Sequence, residues 1–173
     1  MKTDSMFFQT SCKALDFLST EYGYKRFHKK RSIVEWLLYY TNKTAIELAQ
    51  DSRELYVTME VHKLDGEKLR IKYLFEHLYM YPHVRPNELA KALDLAPEKF
   101  MNHYPRTEQE LSELLGYYVT ILRSEKHHML DGDFSDPPQV KAMIEESQRE
   151  WERVEKFAKE FLKGSNTNQE RNK

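Results

Sequence analysis

The spacing of apolar positions along this chain changes from helical to alternating and back, which divides it into a helix, a run of strands and a further set of helices. From Asp4 to Tyr22, Phe8, Cys12, Leu15, Phe17 and Leu18 recur at helical spacing. This predicts one amphipathic helix stopped at Gly23, where a left-handed C-terminal cap is natural. The segment to Arg31 then sets Lys25, Arg26, His28, Lys29 and Lys30 around Phe27. It reads as an edge strand guarded by basic residues or as a loop, solvated in either case. Ile33 to Thr41 is rich in β-branched and aromatic types, Asn42-Lys43 suits a tight turn, and Ile46 and Leu48 resume the alternation up to Asp51-Ser52, so a hairpin is expected. Next, Leu55, Val57, Met59 and Val61 point one way and Tyr56, Thr58, Glu60 and His62 the other, until Asp65-Gly66 closes the run with a hairpin-type turn. The expectation is an antiparallel meander with one face on the core.

After Gly66 two readings stand. Leu69, Ile71, Tyr73 and Phe75 alternate like a strand, while Leu74, Leu78 and Tyr81 fit a helix. Beyond Pro82 the pattern is helical. Pro86 takes a favoured first-turn position ahead of Leu89, Ala90 and Leu93. Thr107-Glu108-Gln109-Glu110 is a capping box, and the helix it opens carries Leu111, Leu114, Leu115, Tyr118, Ile121 and Leu122 on one side. After Asp131-Gly132-Asp133 and Pro137-Pro138, the last helix spaces Val140, Ile144, Ser147, Trp151, Val154, Ala158 and Phe161 in alternating steps of four and three, a heptad stripe. The fold class is therefore α+β: an N-terminal helix, an antiparallel meander of roughly 3–5 strands and a C-terminal bundle of roughly 3–5 helices. Residues 1–163 form a single domain, and 164–173 read as a flexible polar tail.

Composition narrows the function classes. Among 173 residues, 27 Lys+Arg face 28 Asp+Glu, so no global charge draws the chain to nucleic acid or an acidic membrane. Eleven tyrosines, nine phenylalanines and two tryptophans supply either a sheet core or a sticky surface. Cys12 is the single cysteine, so no intrachain disulfide forms. The sequence shows neither a signal peptide nor an apolar run of about 18 residues, which predicts a cytoplasmic protein without a membrane partner.

Candidate chemistry is sparse. His127 and His128 diverge by about 100 degrees if helical and cannot share one metal. Asp131, Asp133, Ser135 and Asp136 lack the glycine and the bidentate glutamate of a calcium loop. The five glycines are not clustered, so no phosphate cradle exists. No catalytic residue, cofactor or metal ligand is assigned. Glu35, Glu47, Glu60 and His62 lie on or near strands and are expected on the solvent face of the sheet, where together with Tyr56 and Thr58 they offer a partner-binding face. Acid–base chemistry would require Glu35, Glu60, His62 or His127 in a common pocket. Lys25 and Arg26 head a basic stretch that can touch phosphates. The stripe over 140–161 offers a homodimer interface.

Two resemblances add to this reading. Val84 to Leu115, with Pro86-Asn87-Glu88-Leu89-Ala90 and Phe100-Met101-Asn102-His103-Tyr104, resembles the helix-turn-helix of tetracycline-repressor-like regulators. It implies DNA binding by residues 86–104, with Lys99 and His103 on the reading helix. Tyr22-Gly23-Tyr24, Val34-Glu35-Trp36, Ile46-Glu47-Leu48, Leu55-Tyr56-Val57 and Leu130-Asp131-Gly132-Asp133-Phe134 together resemble an uncharacterised bacterial α+β family similar to polymorphic-toxin immunity proteins. That resemblance implies a protein partner, no active site, and a structural turn docking Phe134. The expected function is that of a non-catalytic, protein-binding bacterial protein, an immunity or interaction protein; the alternative is a DNA-binding transcriptional regulator.

Overall fold

Five strands follow one another through one antiparallel sheet: β1 (Lys25–Arg31), β2 (Val34–Tyr40), β3 (Thr44–Asp51), β4 (Val57–Lys63) and β5 (His83–Val84), in the spatial order β1-β2-β3-β4-β5. This computed structural model describes residues 4–66, 71–95 and 102–170, with side chains at all of these except 72, 73 and 161–170. Four α-helices follow β4: α3 (Ile71–His77), α4 (Pro86–Ala92), α5 (Glu108–Leu122) and α6 (Pro138–Glu170). The architecture is the expected α+β meander between helical segments.

Register decides which side chains share a face, because alternate residues of a strand point opposite ways. Leu37 pairs with Leu48, and Leu48 with Met59. These three, with Tyr39, Ile46, Val57 and Val61, form the main core face. On it lie Phe7, Phe17 and Leu18 from the N-terminal helices, Leu89 and Ala90 of α4, the six-residue apolar stripe of α5, and Val140 and Ile144 of α6. Fully burying each large aliphatic contributes about 1.5–3 kcal/mol, so the α5 stripe alone outweighs any single polar contact in the molecule.

The opposite face is not simply solvated. Leu38 and Ala45 are buried there against Leu74 of α3 and Leu78 of the 3₁₀ turn Leu78–Met80, with Phe27, Tyr40, Ile71 and Tyr81 around them. The unbroken apolar run from Trp36 to Tyr40 is the local cause, since a strand covered on both sides needs apolar residues on both. The run after Gly66 thus resolves as helix over 71–77. Gly66 is left-handed (φ +87), but the chain passes through α3 before returning as β5, so Asp65-Gly66 does not close a simple hairpin.

The N-terminal helix is also divided, into α1 (Met6–Ala14) and α2 (Asp16–Thr20). Leu15 leaves the helical region (ψ 11), and the break lets Phe7 and Ser11 bury from one piece and Phe17 and Leu18 from the next. At the other end α6 continues to Glu170, through most of the stretch expected as a tail. Two buried side chains fasten the sheet to the segment before α6: the Tyr24 hydroxyl donates to Leu130 O at 2.9 Å and Thr44 Oγ1 to Met129 O at 3.0 Å. Gly132 (φ +82) then turns the chain so that Phe134 enters the core. Among the described residues, no helix is long and apolar enough to cross a membrane.

Candidate functional site

Antiparallel pairing assembles a cluster on the second sheet face that no contiguous motif announces. Glu47 of β3 stands opposite Glu60 of β4, and His62 of β4 stands opposite His83 of β5. Glu60 and His62 are two residues apart and so share that face. His62 Nε2 lies 3.5 Å from Glu47 Oε2 and 3.7 Å from Glu60 Oε2, and His83 Nε2 lies 3.8 Å from Glu60 Oε1. The His62 and His83 ring centroids are 5.3 Å apart. His62 is fully buried (0% exposed), and neither of its ring nitrogens makes a hydrogen bond. His83 is anchored by Ser147 of α6, whose Oγ accepts from the His83 backbone N at 3.1 Å and lies 3.4 Å from Nδ1. Arg85 Nε donates to Glu60 Oε1 at 3.2 Å. His83 and Arg85 also line a cleft of about 390 Å³ bounded by Glu88 and by Glu146 and Glu150 of α6. The donor atoms of Glu60, His62 and His83 all lie within 4.8 Å of one another, with Glu47 beside His62, and such a mixture of imidazole and carboxylate is a donor set for a divalent cation.

The structure sorts the residues expected on this face differently. Glu47, Glu60 and Thr58 lie there partly exposed, and Tyr56 precedes β4 with its ring 5.0 Å from that of Tyr104. His62 shares the face but is buried beneath the carboxylates rather than solvated. Glu35 lies on the opposite side, because Leu37, two residues along the same strand, pairs with Leu48 and faces the main core. There it accepts hydrogen bonds from Ser5 Oγ (2.7 Å), His28 Nε2 (2.8 Å) and Lys30 Nζ (3.1 Å). Burial opposes its charge, yet these three donors hold the carboxyl below its ordinary range. Ser5 also caps α1 through Phe8 N at 3.1 Å, so Glu35 joins β2 to a helix start. His127 is buried elsewhere and donates from Nε2 to Ile121 O at 2.7 Å, while the adjacent His128 is exposed. The acid–base set Glu35, Glu60, His62 and His127 is therefore scattered, with only Glu60 and His62 together.

Of the residues expected to touch DNA, Lys99 lies outside the described residues. His103 sits in a bend, not a helix. Its ring lies 3.1 Å from both Asn87 Nδ2 and the Tyr118 hydroxyl, and its carbonyl accepts from Val57 N at 2.9 Å. Burial holds its imidazole below the usual range. Lys25 and Arg26 are neighbours on β1, the edge strand, and so project to opposite faces. Arg26 lies over the Phe8 ring at 5.7 Å.

The terminal stripe behaves as two halves. Val140 and Ile144 enter the core, Ser147 holds His83, and Trp151 meets Tyr79 edge-on at 5.4 Å. Val154 of the stripe and Phe157 beside it then stand 53% and 70% exposed, and Tyr79 and Met80 of the 3₁₀ turn 61% and 38%. Sequence reasoning missed His83 and Arg85, because a two-residue strand has no periodicity to read. It also missed Tyr79 and Met80, which lie in a segment whose period was ambiguous. No protein-family model, curated protein or solved structure matches this chain, so its geometry carries the functional reading alone.

Proposed function

We propose that this chain is a non-catalytic protein-binding module that associates with a second copy of itself through α6. The supporting observation is a set of exposed large apolar side chains, Val154 on the α6 stripe with Phe157 beside it, and Tyr79 and Met80 on the 3₁₀ turn, where Trp151 of α6 meets Tyr79 edge-on, on a helix whose heptad spacing continues past its last core residue, Ile144. An exposed patch of large apolar side chains marks an interaction surface, and steps of four and three are the spacing that packs helix against helix. The flanks carry Glu150, Glu152 and Glu155 against Arg153, Lys156 and Lys159. Such a balanced mixture of signs does not repel its own copy.

Light scattering coupled to size exclusion tests this over a concentration series. The wild type is expected at twice the chain mass, and Phe157→Glu at the single mass with unchanged circular dichroism. A wild-type chain that stays monomeric up to high micromolar concentration overturns self-association. If that monomer instead binds a different protein and Phe157→Glu abolishes the binding, the surface stands and the occupant is replaced, as the resemblance to immunity proteins would have it.

A further inference from the structure

We infer that Glu47, Glu60, His62 and His83 form a site for one divalent transition-metal ion of the zinc class, separate from the α6 surface. The donor atoms of Glu60, His62 and His83 all lie within 4.8 Å of one another, and Glu47 Oε2 approaches the same His62 nitrogen at 3.5 Å. The separations of 3.5, 3.7 and 3.8 Å are too long for hydrogen bonds. The two from His62 Nε2, to Glu47 Oε2 and Glu60 Oε2, are close to the edge of a coordination tetrahedron, since donors held about 2.0–2.2 Å from zinc lie roughly 3.3–3.6 Å apart, while His83 Nε2 approaches Glu60 through its other oxygen. An ion at the centre draws these side chains in by a few tenths of an ångström.

Two further observations point to the same occupant. His62 is wholly buried with both ring nitrogens unbonded, and its Nε2 is aimed between the two carboxylates; a buried polar group left in this way calls for an ion or a water. Glu47 and Glu60 are directly opposite on adjacent strands. Like charges so placed destabilise a sheet, whereas a dication between them turns the repulsion into attraction. The surroundings complete the arrangement. Ser147 Oγ beside His83 Nδ1 orients the ring with Nε2 toward the cluster, as the outer partners of metal-bound histidines do. Arg85 engages Glu60 Oε1 and leaves Oε2 facing His62. The side chains of His83 and Glu60 are 29% and 23% exposed, which gives an ion a way in from the adjacent cleft. Two imidazoles with two carboxylates suit Zn²⁺, Co²⁺ or Ni²⁺, in contrast to the all-oxygen shells of Mg²⁺ and Ca²⁺.

The test is titration of chelator-stripped, full-length chain with Co²⁺, followed by competition with Zn²⁺ and with Mg²⁺. The expected result is saturation at one ion per chain with the strong visible absorption of four-coordinate cobalt, bleached by Zn²⁺ and untouched by Mg²⁺. His83→Ala and Glu47→Gln each weaken binding at least about tenfold, while His128→Ala on the remote surface leaves it unchanged. If His83→Ala fails to fold by circular dichroism, Glu47→Gln decides. Absence of saturable binding, or wild-type affinity in a folded His83→Ala or Glu47→Gln chain, overturns the site.

Discussion

Gly132 carries two constraints at once. Its φ of +82 is a conformation that side-chain-bearing residues rarely adopt, and a Cβ placed there would stand 2.6 Å from Lys43 Cβ. Lys43 cannot readily yield, because it sits in the β2–β3 turn with its carbonyl accepting from Leu64 N at 2.7 Å. Gly132→Ala is therefore expected to cost about 1–3 kcal/mol, read as a lower urea midpoint at unchanged m-value. Gly23 has φ +70 but nothing within 4 Å of its Cβ position, so Gly23→Ala should cost less. A larger loss at Gly23 would sink the steric half of the account. The turn at Gly132 is what the resemblance to immunity proteins implies, whereas Gly23 follows a helical pattern that ends abruptly, so its role can be read from sequence. Glu35 could not be placed that way. In β2 both alternating sets, Leu37 with Tyr39 and Trp36 with Leu38, are apolar, so only the register with β3 assigns Glu35 to the core side. His62 shows the reverse case: alternation places it on the correct face, while its burial depends on β5, a partner with no periodic signal.

At the scale of elements, legibility follows length and local chemistry. The fifteen residues of α5 announce themselves through a stripe and a cap, and the structure realises both halves of the capping box. Glu110 N donates to Thr107 Oγ1 at 3.1 Å, and Thr107 N to Glu110 Oε2 at 3.2 Å. Since α5 supplies much of the main core, loss of this cap should reach global stability. Thr107→Ala is expected to cost about 1 kcal/mol, whereas Thr107→Asp, which can still accept, should cost far less; equal losses in chemical denaturation would show that the hydroxyl does not act as a cap. Short elements were harder. The seven residues of α3 fit two periods at once, and β5 exists because β4 offers it an edge. The split between α1 and α2 has no glycine or proline to mark it; it is a tertiary effect of burying Phe17 and Leu18 side by side. Heptad spacing correctly marked α6 as a long helix, but spacing cannot say where core contact ends, and that boundary falls between Ile144 and Val154.

For the whole molecule, buried titratable groups set the pH range over which the fold holds. Burial holds the imidazoles of His103 and His127 below the ordinary value of 6.5, with the neighbouring His128 adding to the effect at His127. A depressed native value means the unfolded chain binds the proton more readily. Their contribution is therefore complete above about pH 6.5 and is lost as pH falls through the lower native values. Glu35, held below its ordinary 4.5 by Ser5, His28 and Lys30 against the cost of burial, adds a second loss in more acid solution. Tyr24, Tyr39 and Tyr118 act in the opposite direction. Burial raises all three above 10, Tyr39 to about 12, so their contribution is complete below pH 10 and fades as pH rises through the native values. Stability should form a plateau from roughly pH 7 to 9, with an acid limb in two stages. Urea midpoints measured from pH 3.5 to 8 check this, with Glu35→Gln expected to flatten the stage below about pH 4.5 and leave the histidine stage in place. A wild-type midpoint that stays level between pH 8 and 5, or a Glu35→Gln limb that superimposes on the wild type, contradicts the assignment. Because Glu35 also steadies the Ser5 cap of α1, the same variant should loosen the N-terminal helix first, and amide exchange at Phe8 N would report that opening directly.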